Sequence, residues 1–298
     1  LNYNFVSMFK IANISSIFLV LLSLSLIFFK GLNFGIDFKG GTLIELRVDS
    51  KNIAISDVRS SFSNLKLGDL NVKEFGTSGD YLVKFEKKKF DSELNIKTIK
   101  ENVKNKLNNE VNFRRVENVG PKVSEELLNS GLIAISLALG AMLFYIWVRF
   151  EWQFSLGSIA AIFHDVIITI GIFSLLNLEI NLSIVAAVLT IVGYSMNDTV
   201  VIYDRVRENL SKFSTLKIVE ISNTSINETL SRTIITSITT LLALVSIFVL
   251  GGEILKGFSL AMIIGVIIGT YSSIFVAVPI LKHLNVSYKS IAKENENN

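Results

Sequence analysis

A single aspartate, Asp198, lies within an apolar stretch that has the length of a membrane helix. Between Ile180 and Tyr203 it is the only Asp, Glu, Lys or Arg residue. A charge at the centre of a membrane helix costs roughly 2.5–3.5 kcal/mol on insertion scales. Such an acid is expected to face the interior of a helix bundle, where it handles protons or ions. Asp204, the next charged residue, would stand about 9 Å further along the helix at 1.5 Å per residue.

Arg232 and Thr236 are the expected companions of Asp198. Residues four apart share one face of a helix, and these two would stand one and two turns inside the membrane from Glu228. Removal from water disfavours an ionised carboxylate, whereas a nearby guanidinium favours it. Movement between these two environments would let Asp198 take up and release a proton. The alternative is a static ion pair that holds two helices together.

A second polar pair, His164 and Asp165, lies in the middle of another apolar segment. One interpretation is a second station for the same proton or ion. The other is a polar contact that serves packing alone, which is common between membrane helices. The sequence leaves both interpretations open.

Two glycine motifs indicate structural roles. Gly265 and Gly269 fit the small-xxx-small pattern and predict close helix–helix packing. The loop 35–41 contains four residues of interest, namely Gly35, Asp37, Gly40 and Gly41. Its glycines permit a tight turn, which favours a connector over a binding loop.

The composition excludes several other classes of site. The chain has no cysteine and two histidines far apart, so neither a thiolate nor a histidine metal site is expected. No nucleophile-elbow, zinc-protease or phosphate-loop motif occurs, and we expect no enzymatic activity and no cofactor. A formal net charge of +3 gives no support to nucleic-acid binding.

Six segments are long and apolar enough to cross a membrane as helices. Half of the 298 residues are hydrophobic and only 18% are charged, which is too apolar for a soluble domain of this size. The first segment ends without a small-residue cleavage site, so it predicts a retained anchor rather than a signal peptide. The predicted spans are 11–29, 127–148, 153–178, 180–203, 233–252 and 257–281.

Residues 31–126, between the first two spans, form the one large polar region. Alternating and helical spacing of apolar residues predicts strands and helices in the order βαββαβ. This order predicts a ferredoxin-like α+β domain, a fold that does not define a function. The strands are predicted at 42–48, 70–75, 81–86 and 111–116, and the helices at 55–65 and 94–107.

The distribution of Lys and Arg predicts the orientation. The N-terminus 1–10, the turn at Arg149, the loop 204–232 and the tail 282–298 all carry basic residues, whereas the opposite short loops supply only Lys256. Basic residues concentrate in cytoplasmic loops. Both termini are therefore expected in the cytoplasm, with the polar domain on the extracytoplasmic side.

Several sequence blocks together resemble the SecF family of bacterial protein-export membrane subunits, part of the SecD/SecF group in the RND superfamily. The match extends over nearly all of the chain except the polar domain and the tail. The blocks are GIDFKGGT at 35–42, VGPKVSEEL at 119–127, FHDV at 163–166, VGYSMNDTVVIYDRVREN at 192–209, SRTIITS at 231–237 and GGEILKGFSLAMIIG at 251–265.

The resemblance implies a function and partners. A SecF-like chain is half of an RND-type transporter, its separate partner SecD supplies another six helices, and the pair associates with the SecYEG channel. It would sit in the cell inner membrane and use proton motive force, or in some bacteria sodium, to promote late steps in the export of preproteins. The family's membrane acid, arginine and threonine fall on Asp198, Arg232 and Thr236.

Two alternatives remain open. One is half of an RND-type exporter of lipids or small hydrophobic compounds, although a polar domain limited to 31–126 is small for a drug-efflux porter. The other is a passive assembly subunit in which the buried charges serve helix packing only.

Overall fold

The structure, a computed structural model, describes residues 3–48, 53–63, 65, 67–68, 70–74, 77–85, 92–107, 111–213 and 215–288. The chain divides into two compact units. We call Leu1–Asn33 with Ala134–Asn298 the helical unit and Phe34–Ile133 the sheet unit. Residues 289–298 of the predicted tail lie outside the described residues.

Six helices in the described part of the chain are long and apolar enough to cross a membrane, which agrees with the number predicted from hydropathy. We call them spans 1 to 6 in chain order. Together with the sheet unit they confirm the predicted fold class. Their bounds are Phe5–Phe29, Pro121–Arg149, Trp152–Leu175, Leu182–Lys212, Ile218–Leu250 and Ile254–His283.

The helices extend beyond the apolar segments at one end of spans 4 and 5. Span 4 continues to Lys212 and span 5 begins at Ile218, so most of the segment 204–232, interpreted from sequence as a loop, is helical. Hydropathy marks where a chain leaves the apolar layer, whereas a helix ends where its backbone hydrogen bonds end. Charged residues in this region pair with one another and leave the helices intact.

Spans 3, 4 and 6 form the buried centre of the helical unit. The most apolar windows of these spans are 56%, 50% and 56% buried, compared with 17%, 11% and 17% for spans 1, 2 and 5. Large side chains that are fully buried there include Phe154, Phe173, Ile191 and Tyr203. The outer faces of spans 1, 2 and 5 are apolar and exposed in the single chain.

Small residues let spans 4 and 6 approach closely as parallel helices. A Cβ on Gly265 would lie 2.3 Å from Cγ1 of Ile191, and one on Gly269 would lie 3.0 Å from Cβ of Ser195. Real Cβ atoms do not approach as closely as 2.3 Å, and a contact of 3.0 Å is unusually tight, so both positions favour glycine. This geometry is what the small-xxx-small pattern leads us to expect.

Span 6 contains a π-helical segment at Ser273–Ala277, between the α-helices Gly252–Ser272 and Val278–His283. Pro279 comes two residues after the segment, lacks an N–H and crowds the carbonyl four residues earlier, which accounts for the wider turn. The Tyr203 hydroxyl on span 4 donates to the Ala277 carbonyl at 2.9 Å. Gly157 on span 3 makes room for this bond, because a Cβ there would lie 2.1 Å from the Tyr203 hydroxyl.

The sheet unit is an antiparallel four-stranded sheet with two helices. Its strands are Gly41–Val48, Leu70–Glu74, Asp80–Phe85 and Val111–Val119, and its helices are Ile55–Ser63 and Ser92–Leu107. The strands lie in the order second, third, first, fourth, which is the ferredoxin-like arrangement. Short elements are the helix Ile36–Lys39 and the two-residue strands Asn33–Phe34 and Glu179–Ile180.

Alternation along the strands builds the core of the sheet unit. Ile44, Leu46 and Val83 point to one face and are fully buried against Val58 and Phe62 of the first helix. The predicted strand ends at 75 and 86 lie outside the described residues.

The glycine-rich loop of the sheet unit has a structural explanation. Gly35 precedes the short helix, which carries the half-buried Asp37. Gly40 and Gly41 have φ values of 76° and 129°, in the region that favours glycine. A Cβ on Gly41 would lie 2.8 Å from the carbonyl oxygen of Phe85. The loop therefore lies tightly against the sheet, as expected for a connector.

Candidate ion site in the helix bundle

Asp198 lies on the buried face of span 4. Its side chain is 2% exposed, and its Oδ2 has no hydrogen-bond partner among the described residues. Span 4 begins at a regular cap, because the Asn181 side chain accepts from the backbone N–H of Ile184 at 3.2 Å. Span 4 is thus a regular helix that carries, in its apolar section, a buried carboxyl oxygen without a hydrogen-bond partner among the described residues.

Three side-chain contacts fix the register between the antiparallel spans 4 and 5. Asn209 donates to Ser225 at 2.9 Å, Arg205 pairs with Glu228 at 2.7 Å, and Tyr194 donates to Thr240 at 3.4 Å. Residues earlier in span 4 therefore contact residues later in span 5, as expected for antiparallel helices. This register places Asp198 level with Ile235 and Thr236, one turn from Arg232.

The structure brings the three predicted site residues within one helical turn of one another, with no hydrogen bond or ion pair between Asp198 and the other two among the described residues. Arg232 is exposed, and within the described residues no ion pair of 4.0 Å or less joins it to Asp198. The Thr236 hydroxyl donates to the carbonyls of Arg232 and Thr233, each at 3.0 Å. This conformation does not contain the static ion pair.

The buried face of span 5 is lined by hydroxyl groups that the sequence reasoning missed. Ser225, Thr229, Thr233 and Ser237 recur every four residues and are all buried. Ser237 lies 2.7 Å from the Thr270 hydroxyl of span 6, and the Thr233 hydroxyl has no hydrogen-bond partner in the described structure. The four-residue spacing of Ser and Thr was the available sequence signal.

Asp165 is the centre of a buried network that joins spans 3, 4 and 6. Its Oδ2 accepts hydrogen bonds from Ser195 at 2.5 Å and from Ser272 at 2.7 Å. Its Oδ1 lies 2.8 Å from Nδ1 of His164. Ser195 is one turn before Asp198 on span 4, so the two predicted polar sites are neighbours. Nothing in the sequence singled out either serine.

The imidazole of His164 extends this network toward span 1. The ring stacks on Tyr271 of span 6 with centroids 6.1 Å apart and an interplanar angle of 25°. The Tyr271 hydroxyl donates to the Ala12 carbonyl at 2.9 Å and lies 3.0 Å from the Ser16 hydroxyl. Hydrogen-bonded groups on spans 1 and 6 and those on spans 3, 4 and 6 therefore meet where the rings of Tyr271 and His164 stack.

The two buried acids differ in what they can do chemically. Asp165 has a polar partner at each oxygen, with two serine hydroxyls at Oδ2 and the His164 ring nitrogen at Oδ1. Asp198 has no such donor at Oδ2, so its buried charge is poorly compensated in this conformation. Asp198 is therefore the acid for which proton uptake removes an unfavourable buried charge.

A group of ion pairs lies at the ends of spans 2 to 5 nearest Asp204. Glu151 is 5% exposed and accepts from Arg207 at 3.0 Å, and Arg149 pairs with Asp204 at 2.9 Å. Both guanidinium groups lie over the ring of Phe150, at 5.4 and 5.0 Å. These contacts tie the connection between spans 2 and 3 to the end of span 4.

No group of three His, Cys, Asp or Glu side chains in the described residues is arranged to hold a metal ion.

The fold and the site define a class of protein: a polytopic membrane protein with a six-helix unit, buried acids on two inner helices and a ferredoxin-like domain between the first two spans. The family described as protein export membrane protein SecD/SecF, C-terminal, matches residues 98–287, and the SecD/SecF GG motif matches residues 25–51. The chain belongs to the SecD/SecF family, which confirms the resemblance found in the sequence.

The relatives extend over almost the whole chain. It is 44% identical over 282 residues to the protein translocase subunit SecF of Rickettsia bellii, covering 94% of this chain and 93% of the relative. It is 42% identical over 290 residues to the SecF of Cereibacter sphaeroides, covering 94% of this chain and 89% of the relative. These relatives are named as translocase subunits and not as enzymes.

Solved structures of SecDF share the fold. The crystal structure of SecDF, a translocon-associated membrane protein from Thermus thermophilus, matches with a TM-score of 0.82 and 34% identity. That match covers 99% of this chain and 39% of the SecDF chain. A SecDF structure in a super-membrane-facing form matches with a TM-score of 0.71 and 34% identity, covering 100% of this chain and 40% of that one.

Proposed function

We propose that this chain works with a SecD subunit as an accessory part of the Sec protein translocase and uses proton motive force to promote late steps of preprotein export. Asp198 carries the proton in this proposal, with Arg232 and Thr236 as its companions. The observation that supports it most directly is the burial of Asp198 without a hydrogen-bond donor at Oδ2, in a chain of the SecD/SecF family.

A cycle of proton binding follows from this environment. When Asp198 is protonated, the membrane section of span 4 carries no charge, which is the favourable state for this buried position. When Asp198 is ionised, it attracts the guanidinium one turn away on span 5. Movement of Arg232 toward the carboxylate would then shift span 5 against span 4. Proton binding and release are coupled in this way to a rearrangement of helices.

The proposed partner surface consists of the faces left open in the single chain. Spans 1, 2 and 5 are mostly exposed, and Arg232 lies on such a face beside the exposed Ile235 and Ile238. An arginine at membrane depth needs a protein or water neighbour. A SecD subunit would supply that neighbour, and the SecDF neighbours, of which this chain covers about two fifths, are consistent with such a pairing.

The proposed orientation places both termini in the cytoplasm of a bacterial inner membrane, where the pair would associate with SecYEG. The ion pairs Glu151–Arg207, Arg149–Asp204 and Arg205–Glu228 lie together. The N-terminal backbone joins the same end, because Asn227 accepts from the Tyr3 N–H at 2.8 Å. The excess of basic residues at this end supports a cytoplasmic location.

The decisive experiment replaces Asp198 by Asn, which keeps the size of the side chain and removes the titratable group. Asp198→Asn should assemble with SecD and lose at least about tenfold of the export stimulation by an imposed proton gradient, since a tenfold loss corresponds to about 1.4 kcal/mol of coupling. The measurement is preprotein translocation in vesicles that contain the SecDF pair and SecYEG.

Asp204→Asn is the matched control, because it alters an exposed acid on the same helix. It should respond to the proton gradient as the wild-type chain does. Full stimulation of an assembled Asp198→Asn complex would contradict the proposal. A response to a sodium gradient alone would retain the coupling and change the ion. Assembly with an outer-membrane efflux duct in place of SecYEG would favour the exporter alternative.

A further inference from the structure

The ring of His164 contains a buried nitrogen that the proposed role of Asp198 does not use. Its Nε2 has no hydrogen-bond partner among the described residues, and the side chain is 5% exposed. A buried polar atom without a partner loses the hydrogen bond that water would give it. Such atoms are uncommon in native proteins and usually have an explanation.

The charge of Asp165 decides which ring nitrogen carries hydrogen. Ser195 and Ser272 both donate to Oδ2. If Asp165 is ionised, its other oxygen can only accept hydrogen bonds, so Oδ1 accepts from Nδ1 of His164, at 2.8 Å. With the hydrogen on Nδ1, the neutral ring presents a lone pair at Nε2.

The net charge of the His164–Asp165 pair favours the binding of a proton at the Nε2 lone pair. With a neutral ring, the pair carries one negative charge inside the bundle. No Lys or Arg in the described residues forms an ion pair with Asp165. An isolated buried charge is expensive in a membrane. One proton on Nε2 converts the pair to imidazolium and carboxylate, which together have no net charge.

We propose that His164 is a second proton-binding site in the membrane, at which Nε2 accepts a proton from the aqueous phase while Asp165 remains ionised as the counter-ion. One N–H bond forms and no other covalent bond changes. The site is distinct from Asp198, and proton binding at the ring does not require that Asp198 carry ions. Only its connection to transport rests on the proposed function.

The neighbouring spans define what acts on the ring. Tyr271 of span 6 stacks on it and is in turn held by Ala12 and Ser16 of span 1. Span 4 contributes Ser195 and, one turn later, Asp198. Among the described residues, the titratable groups in contact with the His164 ring are therefore Asp165 and Tyr271, and Asp198 follows one turn beyond Ser195 on span 4. Histidine changes its charge between about pH 5 and pH 8, so binding is testable in that range.

Nitrogen-15 NMR of the full chain in lipid vesicles tests the proposal on the ring itself. The chain has two histidines, so His283→Gln leaves His164 as the only labelled imidazole. We expect Nδ1 to stay protonated and the doubly protonated fraction to grow as the pH is lowered. A bare Nε2 throughout the range from about pH 8 to about pH 5 would overturn the proposal.

Two variants separate proton binding from a packing role. Asp165→Asn removes the counter-ion and should lower the doubly protonated fraction at least tenfold at the same pH; an unchanged fraction would show that Asp165 is not the counter-ion. His164→Asn keeps an amide N–H near the position of Nδ1, and so keeps the bond to Asp165, but it cannot bind a proton.

Proton uptake after a rapid drop in pH should therefore fall in His164→Asn by up to about one proton per chain. Unchanged uptake would mean that the ring serves packing alone. In an Asp198→Asn background the ring should still titrate, so failure of Asp198 as a carrier would not be mistaken for failure at His164.

Discussion

Two aspartates of the helical unit share a residue type and a degree of burial, and their neighbours give them different chemistry. Asp165 is 1% exposed and Asp198 is 2% exposed. Hydroxyl and imidazole donors surround the first carboxylate, whereas Oδ2 of the second has no donor in the described structure. At the residue scale, the polar side chains of neighbouring helices and of the adjacent histidine therefore give the two acids different surroundings.

Ser272→Ala should destabilise the helical unit by about 1–2 kcal/mol, because it removes one donor from the Asp165 carboxylate. The measurement is the free energy of unfolding of the full chain in detergent. Ser246→Ala is the matched control, since Ser246 is exposed and donates only to the Leu242 carbonyl of its own helix. Equal stability of the two variants would contradict the role of Ser272.

Lys84, in the third strand of the sheet unit, should titrate at an unusually low pH. Burial and, to a lesser degree, the like charge of Lys73 lower the pKa of Lys84 to about 8, although Asp37 and Glu117 act in the opposite direction. An ordinary lysine has a pKa near 10.4. Above about pH 8, Lys84 should therefore be mostly neutral and react with acetylating reagents.

Competitive acetylation followed by mass spectrometry measures the reactivity of each lysine across pH. The Lys73→Gln variant should move the midpoint of Lys84 upward, because it removes a like charge. A Lys84 midpoint near 10.4 would be inconsistent with burial in the sheet. The folded state disfavours the charged form, so the stability of the sheet unit should rise as the pH increases from about 8 toward 10.4.

Small residues at helix contacts act at the scale of whole elements. Gly157 lets span 3 approach Tyr203 of span 4 and the Ala277 carbonyl of span 6 at one point, where an added Cβ would lie 2.1 Å and 2.9 Å from their oxygen atoms. Three spans therefore share one contact that depends on a missing methyl group. A substitution there moves helices rather than one side chain.

Gly157→Ala should lower the unfolding free energy by about 1–3 kcal/mol, the usual cost of overpacking. Gly140→Ala on span 2 provides the control, because an added Cβ there meets nothing within 4 Å and alanine is the better helix former. Thermal unfolding in detergent distinguishes the two. Adding Tyr203→Phe should recover part of the loss at Gly157, since it removes the hydroxyl closest to the new methyl group.

The sequence predicts elements better than it predicts contacts between them. Apolar length predicts six spans and alternation predicts the sheet, because both patterns reflect a single element facing water or lipid. The bonds of Asp165 to Ser195 and Ser272 depend on the rotation and register of three helices. Serines in membrane helices usually bond their own backbone, as Ser246 does, so their type alone carries no signal.

The same reasoning applies to Asp198 and Arg232. Their depth in the bundle follows from their positions in the sequence and from the constant rise per residue of a helix. Whether the two side chains touch depends on rotamers and on the neighbours of span 5, and these are set outside the local pattern. The sequence therefore predicts the level of the site but not its pairing.

At the scale of the whole molecule, buried and exposed spans are divided unequally. Spans 3, 4 and 6 form a centre joined by the Asp165 network, whereas spans 1, 2 and 5 present apolar outer faces. The outer faces of spans 1, 2 and 5 are therefore the ones available to lipid or to a partner. The proposed coupling at span 5 lies at the boundary between these two groups.

Single cysteines introduced at Ser60 and Ser211 should lie on opposite sides of the membrane. The chain has no native cysteine, and both serines are exposed, one in the sheet unit and one at the end of span 4. Ser60→Cys should react with an impermeant maleimide in spheroplasts. Ser211→Cys should react only in inverted vesicles. Reaction of both from one side would contradict the proposed topology.

The π-helical segment Ser273–Ala277 affects how the end of span 6 is rotated about the helix axis. A π turn holds one residue more than an α-helical turn, and each residue turns a helix by about 100°. If the same residues were wound as a regular α-helix, everything that follows would be rotated by about that angle. Val278 and Leu281, now fully buried, would then leave the centre of the bundle. The wide turn therefore determines which face of the end of span 6 is buried.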